Sequence, residues 1–326
     1  MEKKRVAYFD VAKGILILLL VFAHFRSAVA RVPFESEYFS WVYVWNRIFT
    51  CFYMPAFFFI SGYCSNFKKS PRDFFVSLAK NLLLPLVTLN VIDVMLSSAV
   101  NQQNILSNLY TSFTHSGGLW FLNALLIGKV INYLIEKVPK YIGGGVLLLL
   151  ITGIALNQYG IGHNVFYYQH GLVASFWVGI GKIFRERSDW YELCMKWSLY
   201  LYPIVVVATF IRPVAFVGTE RIFGFSSLPF HIFYSLVGTF FLLNICRRIG
   251  ESKAFEYWGK HSIVVYALHF TPLLFLTKTL WTMIMPDNGF MFLLFFILLY
   301  VLEYSICWLF MKLFEYNPFC YLIGKF

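Results

Sequence analysis

Apolar stretches of about twenty residues follow one another along this chain from near its first residue to near its last, and that is the signature of a protein whose solvent is lipid. A helix satisfies its own backbone N–H and C=O groups, which hydrocarbon demands. The expected spans are 7–29, 46–66, 82–100, 117–135, 142–157, 168–184, 198–216, 229–246, 262–281 and 290–314. The fold class is therefore all-α, a polytopic transmembrane bundle of about ten helices. The fifth is short and glycine-rich at Gly143, Gly144 and Gly145, so about nine or eleven spans also fit. Only 13% of the residues are charged and 59% are hydrophobic, whereas a soluble domain needs roughly a quarter charged. No long polar linker divides the chain, so residues 1–326 read as a single integral-membrane domain.

The net charge of +11 would suit nucleic acid if it lay on a soluble module, but its distribution argues against such a partner. Lys3, Lys4 and Arg5 lie on one side of the spans. So do Lys68, Lys69, Arg72 and Lys80, then Lys137 and Lys140, then Arg185, Arg187 and Lys196, then Arg247, Arg248, Lys253 and Lys260. The opposite loops 101–116 and 157–170 contain no Lys or Arg. Positive charge marks the cytoplasmic side, so both termini are expected there, in a multi-pass protein of the cell (cytoplasmic or inner) membrane. Six cysteines are scattered without CxxC or His/Cys ligand spacing, which supports neither a metal site nor a disulfide framework. The start of the chain resembles a secretory signal ending at Ala28-Val29-Ala30. Asp10 and Lys13 at the head of its apolar core, and the spans that follow, favour an uncleaved first helix instead.

That first helix is where chemistry is expected. Its uncharged run from Gly14 to Phe25 is only about 18 Å long, too short for a hydrocarbon core of roughly 30 Å. The span must take in Asp10 and Lys13 at one end, or His24 and Arg26 at the other. A charge at mid-bilayer costs about 2.5–3.5 kcal/mol, so something should compensate. Asp10, Lys13 and His24 fall within a stripe roughly 60° wide. Asp10 and Lys13 are spaced to pair. Either the stripe faces a polar cavity, or Lys13 snorkels to the surface while His24 satisfies an interior hydrogen bond. In the outer loops, Asn101-Gln102-Gln103-Asn104 leads toward His115, and His163-Asn164 leads through Tyr167-Tyr168-Gln169 to His170. Rings with amides suit a carbohydrate, but on their own they fit an interfacial aromatic belt better.

The stretch RVAYFDVAKGILILLLVFAH, from Arg5 to His24, resembles the opening helix of the membrane-bound acyltransferase 3 family, in which a basic residue precedes a His by ten positions. MPAFFFISGY, from Met54 to Tyr63, is similar to the family's Pro-aromatic-Ser-Gly signature. Leu119-Trp120-Phe121-Leu122 and WGKHSIVVYALHF, Trp258 to Phe270, follow in the family's order. The nearest subgroup is the short sugar O-acetylases, fucose O-acetylase-like. The chain departs from the family at Tyr53, where a His often stands, and before the third helix, where paired arginines are replaced by Ser77 and Lys80.

The resemblance implies an acetyl-CoA-dependent O-acyltransferase that moves an acetyl or other acyl group from cytoplasmic acyl-CoA to a hydroxyl of a cell-envelope or exported polysaccharide. The implied partners are acyl-CoA, a glycan or lipid-linked saccharide and the bilayer, with no metal. An alcohol is a poor nucleophile at neutral pH, and a positioned His can take its proton. His24 is the expected general base, with an acyl-imidazole on His24 as the alternative. Asp10 and Ser61 join it as catalytic candidates. Lys13, Arg72 and Lys80 are the expected donor-phosphate ligands, ahead of Lys68 and Lys69. Trp120, Tyr266 and His269 are the acceptor-binding candidates. Each has a structural reading beside it: topology for the loop cations, back-bonding near Pro55 for Ser61, and the belt or core for Trp120 and His269. A rival function from another class is a transporter or flippase for a glycan or small solute. A plain membrane scaffold would leave the buried Asp, Lys and His unexplained.

Overall fold

A computed structural model describes residues 7–29, 47–116, 119–138, 142–160, 165–212 and 224–325. The basic cluster Lys3, Lys4 and Arg5, Lys140, the His163-Asn164 pair, and residues 46, 117–118 and 213–216 of the expected spans lie outside them. The described residues are mainly helical, with no strand among them. In chain order the helices are α1 (Ala7–Val29), α2 (Tyr53–Cys64), α3 (Pro71–Leu78), α4 (Leu84–Asn101), α5 (Ile105–Thr111), α6 (Trp120–Glu136), α7 (Ile142–Gln158) and α8 (Tyr168–Glu186). They continue with α9 (Ser188–Ile211), α10 (Leu228–Ile249), α11 (Lys253–Lys260), α12 (Ser262–Leu268), α13 (Phe270–Ile284), α14 (Gly289–Leu313) and α15 (Phe319–Leu322).

Each expected span contains helix, but fewer than ten of the helices are long and apolar enough to cross a bilayer alone. Among the described residues five meet that standard: Ala7–Phe25, Pro71–Asn101, Ser188–Ile211, Phe225–Ile249 and Gly289–Leu313. The bent pair α12–α13, which turns by 49° at His269, makes up to six. Several of the others are too short. α2 has only 12 residues, about 18 Å at 1.5 Å per residue. α6 and α7 have 17 residues each. The rod Pro71–Asn101 holds a π turn at Ala79–Leu83 between α3 and α4, just before Pro85. Proline has no N–H to return to the turn behind it, and the helix widens there.

Close packing in lipid comes from small residues that let backbones touch, since apolar burial does not drive helices together there. A Cβ built on Gly14 would lie 2.0 Å from the Phe255 carbonyl oxygen, and one on Gly259 would lie 1.9 Å from that of Asp10. α1 and α11 are therefore in reciprocal backbone contact. α2 and α8 meet the same way, through Gly62 on the Val178 carbonyl and Gly181 on the Phe59 carbonyl. α8 is the hub, packing on α2, α6 and α7. Asn132 on α6 donates to the carbonyls of Gly128 and Ser175, 2.8 Å each, stitching α6 to α8.

One ion pair, Lys182 on α8 with Glu136 on α6, is nearly sealed from solvent, with side-chain exposures of 2% and 12%. Breaking a buried pair strands the surviving charge, at a cost of about 3–5 kcal/mol. Lys182→Ala should therefore lower the melting temperature in detergent more than the double change Lys182→Met with Glu136→Leu. Equal losses would show that the pair is solvated and contributes little.

Candidate active site

α1 positions the polar stripe. Lys13 Nζ donates to Asp10 Oδ1 at 3.0 Å, with the Asp10 side chain 3% exposed and that of Lys13 28%. Beyond Lys13 the same face runs through Ile17 and Leu20, forming one wall of a cavity of about 880 Å³. The remaining walls come from α2, the stretch 74–82 of α3 and its π turn, α6, the α11–α12 junction and residues 323–325. Five lysines line it: Lys13, Lys69, Lys129, Lys260 and Lys325. No Asp or Glu does so among the described residues. Lys69, Lys260 and Lys325 are exposed, and Lys13 and Lys129 are half-buried. Lys13 and Lys260 have acidic neighbours, Asp10 at 3.0 Å and Glu256 at 3.4 Å. Lys129 makes no hydrogen bond or ion pair among the described residues. A cavity so lined is electropositive, with Ser61, Ser65, Asn66 and Asn81 supplying neutral polar groups on the same walls.

One turn past Leu20 stands His24. Its Nδ1 lies 2.7 Å from His269 Nε2, and the two rings stack with centroids 4.9 Å apart. His269 Nδ1 lies 2.9 Å from the Val265 carbonyl and 3.0 Å from that of Tyr266. A carbonyl only accepts, so His269 Nδ1 carries a hydrogen. In neutral His269, Nε2 is then an acceptor, and the hydrogen between the rings belongs to His24 Nδ1. His24 Nε2 is left with a lone pair, and it makes no hydrogen bond among the described residues. That is the tautomer a general base needs. His269 sits at the α12–α13 break. Two residues on, Thr271 Oγ1 donates to Asp93 Oδ1 on α4 at 2.8 Å, tying the far side of the break in place.

The remaining expected site residues separate. Ser61 lines the cavity and its hydroxyl makes no hydrogen bond among the described residues, so the expected back-bonding is not seen. Tyr266 lines the cavity too, and its hydroxyl accepts the Phe121 N–H at 3.1 Å, capping the first turn of α6. Trp120 is buried against Phe121 and His170 and is not on the cavity wall. Asp10 is brought to Lys13 and not to His24, about 21 Å further along α1 at 1.5 Å per residue. Arg72 and Lys80 are exposed and lie off the cavity wall. Lys69, Lys129, Lys260 and Lys325 stand there with Lys13. Lys129 was recoverable from its segment, WFLNALLIGKVINYLIE, where one cation interrupts an apolar run as Lys13 does in α1.

Residues 6–312 match the family described as an acyltransferase domain, the acyltransferase 3 family. The chain belongs to that family. It is a helical membrane acyltransferase. A stretch of 171 residues is 28% identical to choline transporter-like protein 4 of Xenopus laevis, covering 49% of this chain and 23% of that protein. The acyltransferase thus spans about a quarter of that relative's length. No solved structure matches it. Of the positions where it departs from the family pattern, Ser77 lines the cavity, while Tyr53 and Lys80 do not. Tyr53 is buried beside Met54, which lines the wall. In the paired-arginine region Ser77 lines the wall with Asn81, whose Nδ2 donates to the Ser77 carbonyl at 2.7 Å.

Proposed function

We propose that this acyltransferase transfers an acyl group, acetyl in the first instance, from cytoplasmic acyl-CoA to a hydroxyl of a cell-envelope or exported glycan. The observation that carries the reading is one α1 face that runs from the lysine-lined cavity at Lys13, through Ile17 and Leu20 on its wall, toward His24 and His269, which stand beyond the residues that line it. Acyl-CoA carries its negative charge at one end and its thioester at the other. Lys69, Lys129 and Lys13 hold the diphosphate end, and Asp10 fixes Lys13. The pantetheine arm passes Ile17, Leu20 and Phe121 toward His24. Both termini and the cavity mouth face the cytoplasm, and His24 lies toward the opposite leaflet, where the acceptor arrives.

The step balances without a metal. His24 Nε2 takes the proton of the acceptor hydroxyl as its oxygen bonds to the thioester carbon. The C–S bond breaks, and the departing sulfur receives that proton from His24. His269 keeps the productive tautomer of His24, and Ser61 can donate to donor or acceptor oxygens. His269→Phe should therefore lower kcat by about tenfold or more with little change in donor KM, because the hydrogen bond that selects the tautomer is gone. A donor KM that rises while kcat stays fixed would place His269 in binding instead.

The test uses purified protein in liposomes with acetyl-labelled CoA and a lipid-linked glycan extract. Label on glycan is expected for the wild type, and its absence together with unconsumed acetyl-CoA overturns the reading. The second reading, transport of a glycan or small solute, draws on the partial likeness to a choline transporter-like protein. It requires solute movement without acyl-CoA consumption in the same liposomes.

A further inference from the structure

The mouth of the cavity is completed by a segment beyond the family match, which ends at residue 312. After α14 the chain turns at the buried Phe314, forms the short α15, and lays Ile323, Gly324 and Lys325 along the cavity wall. Three features hold it there. Thr88 Oγ1 on α4 donates to the Leu322 carbonyl at 2.6 Å. The Lys325 N–H donates back to the Cys320 carbonyl at 3.1 Å, closing the turn. Gly324 has φ +77°, and a Cβ there would stand 2.0 Å from the Lys80 carbonyl oxygen in the π turn. Both the backbone conformation and the space therefore call for glycine at 324.

We propose that this C-terminal strap is a specificity element of the donor site, in which Lys325 binds the 3′-phosphate of the acyl-CoA nucleotide. The inference rests on the acyl-CoA reading above. The order of charges supports it. The thioester must travel inward along α1 to His24, so the nucleotide is the last part of the donor to enter. Its 3′-phosphate lies beyond the diphosphate, at the rim, where the exposed cations are Lys69, Lys260 and Lys325. Lys69 belongs to the diphosphate in this arrangement, which leaves Lys260 and Lys325 at the rim. Of the two, Lys325 stands on a backbone clamped by Gly324 against the Lys80 carbonyl and by Thr88 on the Leu322 carbonyl.

The experiment measures equilibrium binding of CoA and of 3′-dephospho-CoA to the full-length protein in nanodiscs. Wild type should prefer CoA by about tenfold, the scale of one charge-assisted contact. Lys325→Gln should lose most of that preference by weakening CoA alone, while Lys325→Arg keeps it. Gly324→Ala, which displaces the strap without touching a charge, should also lose it, with an unchanged melting profile as the check on folding. A Lys325→Gln protein that retains the wild-type preference overturns the strap's role while leaving the donor reading standing. A wild type that binds neither ligand overturns both.

Discussion

His24→Ala is expected to lower the turnover number by about 10²–10⁴-fold, the usual contribution of a positioned general base, with CoA affinity unchanged. The expectation rests on separation. The lysines that would hold the donor begin at Lys13, about 16 Å before His24 along α1 at 1.5 Å per residue. Removing an imidazole at one end leaves the cationic end intact. Single-turnover transfer from labelled acetyl-CoA in liposomes, paired with CoA binding in nanodiscs, reads the two ends independently. If the variant transfers at the wild-type rate, His24 is not the base. If it loses CoA binding as well, the defect is folding or donor entry rather than proton transfer. A labelled enzyme trapped before the acceptor is added would instead support the acyl-imidazole route.

The second large effect concerns the fold. Gly259→Ala puts a methyl where 1.9 Å separates it from the Asp10 carbonyl oxygen, a backbone atom that no side-chain rotation can move away. α1 and α11 must separate, and the reciprocal contact of Gly14 with the Phe255 carbonyl is lost with them. Overpacking of this kind costs about 1–3 kcal/mol or more. It also carries Lys260 away from the cavity, so CoA affinity should fall together with the melting temperature. Gly144 is the contrasting control: a Cβ there meets nothing within 4 Å. Gly144→Ala in α7 should be neutral or stabilising, by up to about 1 kcal/mol, from helix propensity alone. Opposite signs for the two Gly→Ala changes are the expected result. Equal melting temperatures would mean that α1 and α11 are not in backbone contact.

The site was legible in proportion to how local it is. Asp10, Lys13 and His24 share one helix, so a rise of 1.5 Å and about 100° per residue place them on one face before any fold is known. Ser61 was legible through its motif and does line the cavity. Loop cations were harder. Arg72 and Lys80 have the same charge and much the same neighbourhood in sequence as Lys69, yet only Lys69 reaches the wall. Which of them turns inward depends on the phase of α3 and on the π turn ahead of Pro85, and neither shows in hydropathy.

The sequence alone determined that this chain lives in a membrane as a helical bundle, because hydrocarbon penalises every unsatisfied backbone group and so writes its demand as runs of apolar residues. It also determined the polar stripe of α1, since helical phase is a local property. Tertiary structure decided how far each helix reaches, with five or six long enough to span alone among the described residues. It decided the geometry of the candidate site too. The His24–His269 hydrogen bond joins residues 245 positions apart, and the tautomer it selects depends on two carbonyls at a helix break. The cavity draws its five lysines from five separate segments, the last of them beyond the family match. Convergence of that kind comes from glycine-mediated backbone contacts between distant helices, and no periodicity along the chain encodes it.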